Sequence, residues 1–382
     1  MRDDALIPQA STAPVSGPDQ PPSHDLDEEM PRAGVSRSRM IAFIVFVICS
    51  LAFLYFVLPR LAGLQETWDR IDAGEPGWLA VAAGFEVLSF GGYIILFRTV
   101  FVRGSSRIDW RESYQITMAG LAATRLFAAA GAGGVALTAW AVRRSGMEPR
   151  TVACRMVAFM SLLYAVYMAT LVVDGILLRT GVFPGPAPLA FTVVPAALGA
   201  TAIVAFLAMS LVPADLERRL EGWSHRRGLG RLARWARRAA SAPAAVSSGV
   251  RYALALIRAR EPGVLGAVAW WGFDIAVLWA CFHAFGDPPS KAVIVMAYFV
   301  GMLANALPLP GGIGGVDGGM IGTFIAFGVP GGLAVVAVLA YRAFAFWLPT
   351  VPGAVAYFQL RRTVSRWREE RAPGAAATVR AT

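Results

Sequence analysis

The side chains and backbone positions of this sequence that could do chemistry are Glu86, Arg125, Asp274, Asn305, Gly311, Gly312, Gly314, Gly315, Asp317 and Arg342. All lie in strongly apolar stretches, where an ionisable group is costly and marks a function unless its neighbours neutralise it. Arg125 and Arg342 carry planar, forked donors that suit a phosphate. Glu86, Asp274 and Asp317 could neutralise those arginines, bind a basic substituent or carry a coupling proton. The competing reading is an internal salt-bridge network with no ligand. Arg155 and Asp174 sit near the ends of their apolar segment, where snorkelling explains a charge. His283 reads as a capped core residue.

The elements that must position these residues include two interrupted helices. Gly301–Gly319 reads GMLANALPLPGGIGGVDGG, with Pro308, Pro310, Gly311, Gly312, Gly314 and Gly315 as breakers between Asn305 and Asp317. Broken backbone at membrane depth is tolerated only where protein or a wet cavity covers it. The helix ends at such a break offer free N–H groups and a positive dipole end, again suited to an anion. The stretch has an echo. In GLAATRLFAAAGAGGV, Gly120, Ala123, Leu126, Gly131, Gly133, Gly134 and Val135 align without a gap on Gly301, Ala304, Leu307, Gly312, Gly314, Gly315 and Val316. Interrupted apolar segments at matching places in two halves point to a transporter site.

Composition sets the class. The chain has 382 residues, 56% hydrophobic and only 16% charged, and a mean hydropathy of +0.55. Soluble globules carry about 25% charged residues, so this is a polytopic membrane protein. Its net charge of +10 is almost all arginine, with Lys291 the sole lysine, and marks cytoplasmic loops rather than a nucleic-acid partner. Cys49, Cys154 and Cys281 lie in apolar segments without CxxC spacing and read as core residues. No metal cluster, nucleotide loop or nucleophile motif is present, so no metal site, cofactor or catalytic residue is expected.

Full spans are expected at Met40–Leu61, Gly77–Phe97, Thr151–Leu178, Pro188–Val212, Gly263–Phe285 and Gly332–Phe358, each near the roughly 20 apolar residues that cross a bilayer. The broken regions are Glu112–Arg143 and Ser290–Val329. Placing every arginine cluster in the cytoplasm makes the first broken region start and end inside and the second start and end outside. The fold class expected is therefore an all-α integral membrane protein, about six full spans plus two opposed re-entrant or broken-helix hairpins in an inverted repeat. Residues 1–31 form a disordered acidic tail. Residues 32–358 form the membrane domain, with a basic cytoplasmic connection at 213–261, and 359–382 an arginine-rich cytoplasmic tail. The Ala- and Arg-rich usage suggests a GC-rich bacterial genome, and the arginine clusters put both termini in the cytoplasm, so the location expected is the bacterial cytoplasmic (inner) membrane.

NALPLPGGIGGVDG, followed by AYRAFAFWLPTVPG, resembles the membrane region of the lysylphosphatidylglycerol synthase/flippase family, over about Met40 to Phe358. AVRRSGM after the first break resembles that family's earlier Gly-rich motif. The resemblance implies that Asn305, Pro310, Gly311, Gly312, Gly314, Gly315, Asp317 and Arg342 occupy motif places. Asp317 stands where many members carry glutamate, and the first motif has Phe127 and Ala129 where the second has prolines. The resemblance also implies movement of an aminoacylated or otherwise modified phospholipid across the cytoplasmic membrane. These residues include no aminoacyl-transferase domain, so synthesis of the lipid is not implied. The expected function is a flippase-like protein for a phospholipid or lipid-linked headgroup, with membrane phospholipid as its partner and no enzymatic activity. Two alternatives stay open: a membrane-embedded enzyme on a lipid-linked substrate, and a non-transporting scaffold for a cell-envelope synthase made as a separate chain.

Overall fold

The computed structural model describes residues 74–102, 108–126, 132–183, 186–211, 246–304 and 314–379, all within one compact unit, Ile44–Thr382. The expected acidic tail, the first span at Met40–Leu61, most of the basic connection, and Asn305, Pro310, Gly311 and Gly312 lie outside the described residues. Among the described residues there is no strand; the protein is an all-α membrane protein.

The helices are α1 Pro76–Phe101, α2 Trp110–Leu126, α3 Ala132–Arg144, α4 Pro149–Arg179, α5 Leu189–Ser210 and α6 over 246–258. They continue with α7 Leu265–Phe285 after a 3₁₀ turn Pro262–Val264, α8 Lys291–Leu303, α9 Gly315–Ala326, α10 Gly331–Arg342, a π-helical segment Ala343–Trp347, and α11 Thr350–Val379. Pro76 and Pro149 start their helices at the first-turn position that needs no N–H. Asp109 and Glu112 form a reciprocal capping box at the head of α2, with bonds of 2.7 and 3.0 Å. Five runs are long and apolar enough to cross a membrane: Pro76–Phe101, Pro149–Arg179, Leu189–Ser210, Pro262–Phe285 and Gly331–Glu370. They overlie five of the expected spans. The last is longer than hydropathy suggested, because α11 continues past Phe358 and packs on α2. There Thr363 donates to Gln115 at 2.9 Å and the Trp367 indole to Glu112 at 3.1 Å.

The central packing is α1 against α7. Glu75 N–H donates to the Ala284 carbonyl at 3.0 Å, Trp78 meets Trp279 edge-on, the Ser89 hydroxyl donates to the Trp270 carbonyl at 2.9 Å, and Thr99 lies over Gly263. As one number rises the other falls, so the two helices run antiparallel. Gly92 and Gly266 allow the approach: a β-carbon on Gly92 would come within 2.9 Å of the Gly266 carbonyl oxygen. Small residues at a helix crossing are how membrane helices gain close van der Waals contact. This register brings Glu86 opposite Asp274.

Each interrupted region forms a pair of packed helices, α2 with α3 and α8 with α9. In the first, Gly120 faces Gly134 and Thr138. In the second, Gly301 faces Val316 and Met320, and a β-carbon on Gly319 would lie 3.1 Å from the Gly301 α-carbon. The ungapped alignment that places Gly120 on Gly301 also places Thr138 on Gly319, so the two pairs cross at matching positions.

Candidate functional site

Both interrupted regions lead to one polar cluster inside the helices. From the first comes Arg125, at the last turn of α2. Its Nη2 donates to the Ala345 carbonyl at 2.7 Å. That carbonyl is available for a local reason: Pro349, four residues on, has no N–H to give it an α-helical bond. The chain there passes through the π-helical segment, where Leu348 N–H reaches the Ala343 carbonyl at 3.0 Å; such turns recur at functional sites. The Arg125 guanidinium also lies 5.9 Å from the Phe90 ring and 6.0 Å from the Phe346 ring. Its Nη1 is shut away from solvent and has no hydrogen-bond partner among the described residues.

From the second region comes Asp317, in the first turn of α9. One carboxylate oxygen accepts the Gly314 N–H at 3.0 Å. The other pairs with Arg342 Nε at 2.6 Å. Gly314 has φ 81, a left-handed conformation that favours glycine, and Gly315 begins the helix. The start of α9 is thus bonded by its own carboxylate rather than left wholly free for a ligand. Arg342 is balanced by Asp317, and its guanidinium sits 4.9 Å from Phe346. The Phe346 ring therefore lies within reach of both Arg125 and Arg342.

The third part is acidic. Glu86 and Asp274 are 2% and 7% exposed and lie opposite each other, near enough for their carboxyl groups to interact. Glu86 Oε2 finds no donor among the described residues; a hydrogen bond between two carboxyls needs a proton on one partner. Asp274 Oδ2 accepts from the Tyr298 hydroxyl and, at 3.0 Å, from the Tyr341 hydroxyl. Helices α1, α2, α7, α8, α9 and α10 all contribute to the cluster.

Of the sequence-derived candidates, Glu86, Arg125, Asp274, Gly314, Gly315, Asp317 and Arg342 come together here, while Asn305, Gly311 and Gly312 are outside the described residues. Arg155 serves elsewhere, donating to the Phe101 carbonyl at 2.7 Å. His283 stacks on Trp78 with ring centres 4.4 Å apart. Asp174 is buried, away from this cluster's bonds. The sequence reading missed Tyr298, Tyr341, Phe346 and the Ala345 carbonyl. Pro349 was a usable signal for the last, since a proline always deprives the carbonyl four residues before it. Among the described residues no group of acidic, histidine or cysteine side chains could hold a metal.

Comparison with known proteins places this arrangement. The model of the lysylphosphatidylglycerol synthase transmembrane region matches residues 40–353. A UPF0104 membrane protein of Methanothermobacter thermautotrophicus is 24% identical over 332 residues, 82% of this chain and 94% of the relative. A shorter match to a protein of the same description and organism is 36% identical over 86 residues, 22% of this chain and 26% of the relative. A UPF0104 membrane protein of Methanocaldococcus jannaschii is 30% identical over 95 residues, 25% of this chain and 28% of the relative. In these shorter matches the chain spans about a quarter of the length of its curated relatives.

Proposed function

This chain belongs to the lysylphosphatidylglycerol synthase transmembrane-region family, and we propose that it is a flippase-like protein of the bacterial inner membrane, moving a phospholipid or lipid-linked headgroup across the bilayer. The observation that carries the reading is Arg125: a guanidinium held inside a multi-pass membrane protein with one nitrogen donating to the Ala345 carbonyl and the buried Nη1 open to an acceptor. A phosphate oxygen is the acceptor whose charge and geometry match. Arg342, 4.9 Å from the Phe346 ring, adds positive potential, and Asp317 holds it in place.

The hairpins α2/α3 and α8/α9 are the two gates in this reading, each opening the cluster to one face of the membrane, with both chain termini cytoplasmic. The antiparallel register of α1 and α7 and the matching crossings at Gly120 and Gly301 support an inverted repeat of this kind. Asn305, Gly311 and Gly312 are proposed as further headgroup-binding residues. The partner is an anionic or modified membrane phospholipid.

The test is translocation of a fluorescent phosphatidylglycerol in liposomes carrying the purified protein, followed by a quencher added outside. Wild type is expected to expose inner-leaflet lipid, and Arg125→Ala and Arg342→Ala to lose most of that rate. Variants that insert and fold normally yet translocate at the wild-type rate would remove these arginines from the mechanism.

A further inference from the structure

Resting on the headgroup reading, we infer that the Glu86–Asp274 pair is a proton-binding site that takes up a proton as a phosphate anion binds beside Arg125. Five ionisable side chains, Glu86, Arg125, Asp274, Asp317 and Arg342, set the charge of this cluster. Arg125 and Arg342 are positive and Asp317 is negative. Glu86 and Asp274 are buried face to face across the α1–α7 contact, and two carboxyls sharing such a site cannot both ionise, so together they carry one proton and one negative charge. These groups sum to neutral. The breaks at 127–131 and 305–313 contain no ionisable side chain to change the count. A phosphodiester arriving at Arg125 Nη1 would leave the cluster with one uncompensated negative charge, and burying an unpaired charge is prohibitive. A second proton on the carboxyl pair restores neutrality.

The groups facing the pair are few enough to name. Arg125 from α2 and the Cys281 thiol from α7 itself face Glu86. Tyr298 from α8 and Tyr341 from α10 donate to Asp274, and Arg125 and Arg342 act on it through space. Glu86 is almost wholly buried with one oxygen lacking a donor, so it offers a vacant position in the network. The two tyrosine hydroxyls can rotate to accept instead of donate, which lets Asp274 exist with or without its own proton. Among the described residues no other carboxylate is part of this contact.

The experiment uses the full chain in detergent micelles and two probes: dihexanoyl-phosphatidylglycerol, and dimethyl phosphate as a headgroup-free phosphodiester that does not itself titrate near neutrality. Calorimetric titration in two buffers of different ionisation enthalpy gives the protons taken up per molecule bound. About one proton per lipid is expected for the wild type, with affinity weakening up to about tenfold per pH unit, because the bound state holds more protons and so is favoured at lower pH. In Glu86→Gln/Asp274→Asn, binding is expected to persist, to lose its pH dependence and to take up no proton. Wild-type binding with no proton uptake overturns the coupling and leaves the headgroup reading intact. Failure of the wild type to bind either probe overturns both. Binding of dimethyl phosphate as tight as that of the lipid would assign the site to a free phosphodiester rather than a membrane lipid, with the coupling judged by the same proton count. The wild-type count decides the matter even if the double variant fails to fold.

Discussion

The two helix pairs α2/α3 and α8/α9 make the same crossing and deliver opposite charges. In the first, Gly134 on the second limb presses against the Gly120 carbonyl, and Gly120 itself has the Thr138 hydroxyl as its nearest neighbour. In the second, Gly301 on the first limb faces the Val316 carbonyl and Met320 backbone, each 3.0 Å from where its β-carbon would sit. The first pair ends in a cation, Arg125, whose guanidinium is partly unsatisfied. In the second, an anion, Asp317, opens the second limb: one oxygen caps its own helix and the other forms an ion pair with Arg342. One pair therefore presents a buried donor with no acceptor among the described residues, the group proposed to bind the headgroup, and the other ties its helix start to Arg342. Similar backbone geometry does not imply interchangeable roles, and the roles separate at the charged residue beside each break.

Substitutions can break or sharpen that contrast. The largest effect is expected for Asp317→Ala, which removes the carboxylate paired with a mostly buried Arg342; removal of one partner of a buried pair costs about 3–5 kcal/mol, read as a fall in thermal unfolding midpoint in detergent. The double change Asp317→Leu/Arg342→Met is expected to recover much of that stability, since no charge is stranded, while remaining inactive in lipid translocation. Arg125→Ala is expected to act on transport instead. Loss of charged hydrogen bonds worth roughly 1.5–3 kcal/mol corresponds to about a 10- to 100-fold slower rate in the liposome assay. Arg125→Lys is expected to keep only a small part of the rate, because a point charge cannot serve Ala345 and an anion in the same forked geometry.

Smaller effects test the crossings. Gly301→Ala is expected to cost about 1–3 kcal/mol, as overpacking against backbone generally does. Gly120→Ala meets a threonine hydroxyl that can turn away and is expected to cost less than about 1 kcal/mol by the same reasoning. Equal costs at the two glycines would mean that the two crossings are equally tight. Smallest of all, Tyr341→Phe removes one of two hydroxyls bonded to Asp274 and is expected to lower stability by about 0.5–1.5 kcal/mol, measured against Tyr298→Phe as its partner in the same network.

Hydropathy made the long helices legible: Gly77–Phe97 was expected and Pro76–Phe101 is observed, Thr151–Leu178 against Pro149–Arg179, and Gly263–Phe285 against Pro262–Phe285. A run of apolar residues needs no distant information to show that it is buried or in lipid. The candidate charges were legible for the same reason, since each interrupts such a run. What joins them was not. Glu86 and Asp274 are far apart in the chain, as are Arg125 and Ala345, and only the antiparallel α1/α7 register and the packing of α11 on α2 bring them into contact. Tyr298 and Tyr341 were not singled out, because a tyrosine reads as apolar until its hydroxyl's partner is known. Asp317 was expected to neutralise an arginine, bind a basic substituent or carry a proton; it pairs with Arg342 and also folds back on Gly314, a bond set by the glycine turn before it.

That the two helix pairs open one shared cluster to opposite faces of the membrane is tested most directly by thiol accessibility. Single cysteines at Ala132 and Ile313, in a chain lacking Cys49, Cys154 and Cys281, would be exposed to a membrane-impermeant thiol reagent in right-side-out and inside-out vesicles. Labelling of Ala132 only from the cytoplasmic side and of Ile313 only from the outside is the expected result. Labelling of both from the same side would contradict the opposed gates and, with them, alternating access to Arg125.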